Sequence, residues 1–354
     1  MKILPLGEDD IARRGSLVIL YEGKDISKDI ADSIINCVYR DSINEFDTID
    51  LTLEDKKGLW MGCWFPQRGD KIQIKYKLTN WEEKGIVEHN LGTFYIDNID
   101  YSGPPSIVSL KGISVDIVSN IMDEKKCRSW EDVTIKKIAE DIAKNSNLKL
   151  ITDFKFNRIY KRVEQKLESD YTLLKRLCRE AGITVKLYSD KLILFEESLY
   201  EAKNPCFKFS NKIENYSFSM DDADTYSGCK ISYYDYVLDK KIEHTFYTKQ
   251  RPGYKKNTQR LLFMNYDASV PGKTQQEKKE YLLKIAQREL REKNKTGITC
   301  SLTIIGTVQQ LSASDIVEID AFGRFNGKYI ITEITTDYSD YSHSVNLRKC
   351  LEGY

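Results

Sequence analysis

The sequence has 354 residues, 41% hydrophobic and 31% charged, with lysine plus arginine balanced against aspartate plus glutamate at 54 each. That length predicts two or three hydrophobic cores rather than one, and the composition excludes a disordered chain. Zero net charge excludes a protein drawn as a whole onto nucleic acid or an anionic membrane.

The first fifteen residues, MKILPLGEDDIARRG, carry acidic residues and a glycine where a signal peptide needs an apolar run. No later run reaches membrane-spanning length, so the expectation is a chain that is neither Sec-exported nor membrane-spanning. From residue 16 the pattern has a period of two. Ser16–Tyr21 precedes the turn Glu22-Gly23-Lys24; Asp47–Leu53 places Ile49, Leu51 and Leu53 on one face; Lys71–Leu78 does the same with Ile72, Ile74, Tyr76 and Leu78. Gly92–Tyr101 and Ser106–Lys111 flank Ser102-Gly103-Pro104-Pro105 and are expected to pair antiparallel. Residues 1–118 therefore read as a β domain, closed or nearly closed into a barrel.

Helical spacing takes over next. Ile135, Ile138, Ala139 and Ile142 recur on one helix face, with Asp132 or Thr134 as N-cap. A second helix starts at Ser169 or Asp170, turns Leu173, Leu174, Leu177 and Ala181 inward and stops at Gly182. Ile183–Tyr188 and Lys191–Phe195 follow as a hairpin around Ser189-Asp190, so residues 119–204 read as an α+β domain. Strand patterns return at Cys206–Phe209, Tyr216–Met220, Cys229–Tyr236 and His244–Tyr247. A helix over about Thr274–Lys293 interrupts them, and they resume at Ser301–Ile305, Ile316–Ile319, Tyr329–Thr335 and Ser344–Arg348. The expectation is a discontinuous β domain made of residues 205–248 and 298–354, with 249–297 as a basic, partly helical insertion. From Lys249 to Lys295 there are thirteen basic residues against five acidic ones.

Motifs for chemistry are sparse. Pro271-Gly272-Lys273-Thr274 opens a helix as a phosphate-binding loop does, but Asp267 stands where that loop needs a glycine, so the segment reads as an ordinary helix cap. Asp221-Asp222-Ala223-Asp224 suggests calcium until Tyr226 and Ser227 occupy positions needing an oxygen ligand and a glycine. Eight cysteines with no CxxC pair and three isolated histidines, His89, His244 and His343, give no zinc spacing and no nucleophile pair. Glu45, Asp47, Glu168 and Asp170 could in number serve a peptidoglycan hydrolase, but only their spatial separation would define such a site. Glu277, Glu280, Glu289 and Glu292 interleave with lysines as on a salt-bridged exposed helix face, which speaks against direct nucleic-acid binding. No catalytic, metal-binding or cofactor-binding residue is assigned.

Gln165, Glu168-Ser169-Asp170, Leu173-Leu174, Leu177 and Gly182 together resemble the phage late control D, or baseplate hub, family. In that family a glutamine and a Glu-Ser-Asp step precede a Leu-Leu-x-x-Leu helix, a glycine and a hairpin. Gly92-Thr93-Phe94-Tyr95-Ile96-Asp97 with Gly112, the helix Val133–Asn147 before Leu148, and Phe322–Ile331 followed by Val345-Asn346-Leu347-Arg348 resemble further segments of it. The ordered succession runs from about residue 16 to 350. One departure is Leu311-Ser312-Ala313-Ser314-Asp315, where relatives often carry proline or glycine before the Val-x-Ile strand.

The resemblance implies a β-dominated α+β fold with two tail-tube-like β-barrel domains, an intervening α+β domain and a helical insertion in the second barrel. It implies a non-enzymatic subunit of a contractile phage tail or tail-like bacteriocin, forming a homotrimeric ring that adapts a hexameric tail tube to a trimeric spike. Its partners would be the tube protein, the spike protein and other baseplate proteins, with assembly in the bacterial cytoplasm and residence in the particle's baseplate. Similar hubs form the N-terminal part of type VI secretion spike proteins. With no spike-like extension after Tyr354, a separate spike subunit is expected. The alternative is a tail-associated peptidoglycan hydrolase.

Overall fold

The computed structural model describes residues 13–82, 85–115, 121–156, 158–209, 213–249, 260–267, 270–272 and 274–354. The first twelve residues, Lys273 and most of the basic run between Lys249 and Asp267 lie outside these. The first part of the chain contains β1 (Arg14–Tyr21), β2 (Lys24–Asp25), α1 (Ser27–Ile30), β3 (Ile34–Ser42), β4 (Thr48–Glu54), β5 (Lys71–Thr79), β6 (Ile86–Ser102) and β7 (Ile107–Ile113). The middle contains β8 (Lys126–Val133), α2 (Ile135–Asn145), β9 (Lys149–Asp153), β10 (Tyr160–Glu168), α3 (Asp170–Ala181), β11 (Thr184–Tyr188), β12 (Lys191–Phe195) and α4 (Glu197–Glu201). The last part contains β13 (Phe207–Phe209), β14 (Ile213–Met220), β15 (Gly228–Asp235), β16 (Lys240–Tyr247), β17 (Leu261–Asn265), α5 (Gln275–Asn294), β18 (Ile298–Ile305), β19 (Ile316–Ile319), β20 (Gly327–Asp337) and β21 (Ser342–Lys349). The fold is α+β and dominated by strands.

Thirteen strands form one sheet, whose main path runs β14-β18-β21-β20-β3-β4-β7-β6-β5-β1-β2, with β19 and β13 attached beside β20. The sheet contains one strand order twice. The first set reads β3-β4-β7-β6-β5-β1; the second reads β14-β18-β21-β20-β19-β13. The sets meet where β20 pairs with β3. Alternation explains why each set holds: Ile49, Leu51, Leu53, Ile72, Ile74 and Leu78 fill one core, and Cys300, Leu302, Ile304, Tyr329, Val345 and Leu347 fill the other.

The middle of the chain packs α2 and α3 on the β9–β12–β11 sheet around Ile138, Ile142, Leu174, Leu177, Leu187 and Leu194. Thr134 caps α2 and Ser169 caps α3, each accepting a backbone N–H three residues on. Gly182 ends α3 with φ of 70°, the left-handed conformation that glycine adopts without strain. β8 and β10 pair as a separate ribbon with no apolar alternation, which is why their sequences do not announce strands.

The strands at Cys229–Tyr236 and His244–Tyr247 depart from the expected pairing. They correspond to β15 and β16, which join β17 in a separate three-stranded sheet rather than the sheet containing β14. The physical reason lies in α5, whose Leu282, Ile285, Ala286 and Leu290 cover Cys229, Ile231 and Ile242. The helix and the three strands thus share one core. The serine-rich turn before β19 also resolves: Ser314 adopts φ of 81°, the conformation for which glycine is the usual choice.

Candidate assembly interface

The arrangements that stand out are the places where strands and units join. The β20–β3 seam is antiparallel, with Glu333 opposite Ser42, Thr335 opposite Arg40 and Asp337 opposite Val38. On its outer face Arg40 Nη2 lies 2.6 Å from Glu333 Oε2. On its inner face Tyr39 donates its hydroxyl to Asp47 at 2.8 Å.

Two buried charge clusters lock the middle unit onto the rest of the chain, one at this seam and one at β21 and α5. Lys186 on β11 is ion-paired with both Asp41 and Asp47, and Asp41 also accepts the Ala313 N–H at 2.9 Å. Burial, followed by the neighbouring Asp41, pushes the Asp47 carboxyl up to about 7, while Lys186 and Tyr39 oppose the shift. Burial works against the Lys186 charge too, yet the two carboxylates outweigh it and raise its pKa. In the second cluster Arg348 on β21 pairs with Glu197 and Glu201 on α4, Arg291 pairs with Glu201 at 2.5 Å, and Lys295 pairs with Glu197 at 3.1 Å. Burial opposes ionisation of Glu197, but Lys295 and Arg348 hold its pKa down at about 2.

The sheet has a second face, turned away from the cores. Register carries one row through Thr303, Ser344, Thr335, Arg40 and Thr48, and another through Val38, Asp50, Lys111 and Asn98. Nearly all of these side chains are polar, and the row crosses the β20–β3 seam without interruption. At one end of the sheet, β14 has β18 on one side and no strand on the other among the described residues. Its Tyr216 is 61% exposed and its Met220 is 47% exposed. Phe218 stacks on Phe325 at 4.7 Å and meets Phe322 at 5.1 Å.

The residues singled out in the sequence are dispersed among structural contacts. Thr274 accepts the Glu277 N–H and Glu277 reaches back to the Thr274 N–H, a capping box that occupies the start of α5. Asp221 accepts the Ala223 N–H, and Asp224 binds Tyr226 and Lys293. Asp170 is buried against Lys126 and Arg128, Glu168 pairs with Arg176, Asp47 belongs to the Lys186 cluster, and Glu45 lies 3.8 Å from Arg40. Among the described residues no group of three His, Cys, Asp or Glu could hold a metal ion. The reading of α5 as a helix with exposed lysines needs one correction. Lys278 is buried, ion-paired with Asp235 on β15, because its position faces the sheet that the helix covers.

The charge clusters could not be foreseen, since Asp41, Lys186, Glu197 and Arg348 lie far apart in sequence. The one available signal was a charged residue at an inward strand position, such as Asp41 two residues after Tyr39.

Comparison with known proteins places these features in a family. Residues 120–342 match the family described as phage tail baseplate hub (GPD). The "Probable baseplate hub protein" of Escherichia phage 186 is 24% identical over 220 residues, 60% of this chain and 54% of that protein; the match thus spans about half the length of the curated relative. The 43 kDa tail protein of prophage MuSo2 from Shewanella oneidensis has the same fold, with a TM-score of 0.69 at 14% identity over 94% of this chain and 98% of that one. An Escherichia coli component of the type VI secretion system shares the fold with a TM-score of 0.54 at 10% identity, over 98% of this chain and 76% of that one.

Proposed function

The chain belongs to the phage tail baseplate hub (GPD) family, and from that premise we propose that three copies of it close a ring joining a hexameric tail tube to a trimeric spike. The observation that carries this reading is the repeated strand order, β3-β4-β7-β6-β5-β1 and β14-β18-β21-β20-β19-β13, inside one sheet. Two like units per chain make three chains into six, so the ring matches sixfold symmetry on one side and threefold symmetry on the other. In this reading the first tube-like unit spans 1–118, the α+β unit 119–204, and the second tube-like unit is completed by residues 298–354.

The cores occupy one face of the sheet, and the charge cluster of Asp41, Asp47 and Lys186 attaches the α+β unit on that same side. The polar face is therefore the one left for the bore. Bulk on the outside and a mostly polar face inside suit a conduit.

The role is structural rather than enzymatic, because the carboxylates a hydrolase would use are each taken up by a basic partner. The protein acts in the baseplate of a phage or phage-like particle, after assembly in the bacterial cytoplasm. Electron microscopy of intact particles tests the reading directly. Three copies between tube and spike are expected; one copy, or six, would overturn it.

A further inference from the structure

Over their first five strands the two sets agree in register as well as in order; the sixth differs in direction, β1 running antiparallel to β5 and β13 parallel to β19. β6 has a bulge between Ile96 and Asn98, and β20 has one between Ile331 and Glu333. β3 has a bulge between Ile34 and Asn36, and β14 has one between Ile213 and Asn215. Gly92, with φ of 108°, lies opposite Ile74, as Gly327, with φ of 134°, lies opposite Ile319. Ile96 is clasped by the backbone of Gly69 and Asp70, and Ile331 by that of Ser314 and Asp315, through the same pair of hydrogen bonds. Bulges and clasps of this kind pin register. Residue equivalences follow: Asn98, Asp100 and Ser102 occupy the places of Glu333, Thr335 and Asp337, while Ser217, Phe218 and Ser219 occupy those of Val38, Tyr39 and Arg40.

The β20–β3 seam is then a joint between a strand of one set and the first strand of the other. Each set has the other half of such a joint unused. Among the described residues, the edge of β6 over Asn98–Ser102 has no strand where β20 has β3, and β14 has none where β3 has β20. The residues equivalent to exposed Tyr216 and Met220 are Cys37 and Asp41, both buried at the seam. β14 also lacks the lysines and prolines that guard an edge meant to stay free.

We propose that Asn98–Ser102 of one copy pairs antiparallel with β14 of the next copy in the register of the β20–β3 seam, with Asp100 opposite Ser219, Tyr101 opposite Phe218 and Ser102 opposite Ser217. This rests on the trimer reading and supplies its contact. Ile99 and Tyr101 meet Met220 and Phe218 on the core side. Asp100 and Ser102 meet Ser219 and Ser217 on the polar side, which carries the polar face of one chain into the next.

The test is a cross-link at a position the register selects. Tyr338 donates its N–H to Cys37 O and Ile43 donates to Thr332 O, so Asp337–Val38 and Thr335–Arg40 are pairs that do not hydrogen-bond to each other. In such pairs the Cα atoms lie about 4.5 Å apart, within disulfide range. Ser102→Cys with Ser217→Cys, in one full-length chain, copies the first of these pairs between molecules. Val38→Cys with Asp337→Cys is the intramolecular control, and Ser16→Cys with Ser217→Cys probes closure through the β1 edge instead.

Particles carrying the Ser102→Cys and Ser217→Cys chain should give, after mild oxidation and denaturing electrophoresis without reductant, covalent dimers and trimers and nothing larger. The Ser16→Cys and Ser217→Cys chain should give neither. Should the first variant not assemble, Asp100→Cys with Ser219→Cys makes the same demand one pair along. Particles that contain three copies but do not cross-link at either pair, or cross-link equally through Ser16→Cys, overturn the joint while leaving the trimer standing. A copy number other than three overturns both.

Discussion

Lys186 Nζ lies 3.0 Å from Asp47 Oδ1, although the two residues belong to different units, and both side chains are almost fully withdrawn from water. The pair is a latch between the α+β unit and the connection from β3 to β4. Removing only the cation leaves Asp41 and Asp47 buried together. Lys186→Met is expected to lower unfolding stability by about 3–5 kcal/mol, the range for breaking one side of a buried pair. Urea denaturation checks this. The raised pKa of Asp47 makes its contribution complete below its unfolded value of 3.8 and lost as pH rises through about 7. The variant should therefore lose stability more steeply than the parent between pH 4 and 8.

His343 supplies a pH dependence of opposite sign. It is buried against Tyr341 with Nδ1 2.8 Å from the Thr336 hydroxyl, and burial, aided by His89, lowers its pKa from 6.5 to about 4. The unfolded chain takes up that proton first as pH falls. The stabilisation present above pH 6.5 is thus lost as pH falls through 4, on the order of 3 kcal/mol. Glu197 acts lower still, its contribution being present above 4.5 and lost toward pH 2. His343→Leu should flatten the stability profile between pH 4 and 6.5, and Glu197→Gln should flatten it below 4.5. Thermal melts across pH 2–8 separate the two windows.

Lys278 and Lys279 are neighbours in sequence with different surroundings. Lys278 is buried against Asp235, whereas Lys279 is only half-buried on α5. Lys278→Ala is expected to lower the melting temperature and Lys279→Ala to leave it within the range of surface substitutions. Calorimetry on both variants decides. Equal effects would mean that α5 does not sit on the β15–β17 sheet as described.

Purified protein should neither cleave peptidoglycan nor hydrolyse nucleotides. The measurements are turbidity loss of cell-wall sacculi and release of inorganic phosphate. Activity that survives repurification and disappears in Asp170→Asn would sink the structural role, since Asp170 is here a buried partner of Lys126 and Arg128.

Much of this architecture was legible in the sequence. Five strands of the first set, the two capped helices and the hairpin after Gly182 follow from period, caps and turn residues, because each depends on neighbours in the chain; β3, with Asp41 and Ser42 among its buried positions, was missed. β8 and β10 were not legible, since the residues they turn to the core are mixed, Val163 beside the buried amide of Gln165, and display no apolar alternation. The separate β15–β17 sheet was missed for another reason: alternation says which face of a strand is buried, not which neighbour it pairs with. The charge clusters lie furthest from local reading, as Asp41 acquires meaning only when Lys186 arrives from another unit.

The seam between β20 and β3 has a consequence in time. Asp337 pairs with Val38, about 300 residues earlier, and ribosomes add roughly 5–20 residues per second. The β3 edge therefore leaves the ribosome about 15–60 seconds before its own partner strand exists. During that interval the matching strand of an older, finished neighbour on the same message could take the place. A chain that carries its own joint must outlast the wait, and slower translation between the two strands should favour exchanged, swapped products over the closed monomer.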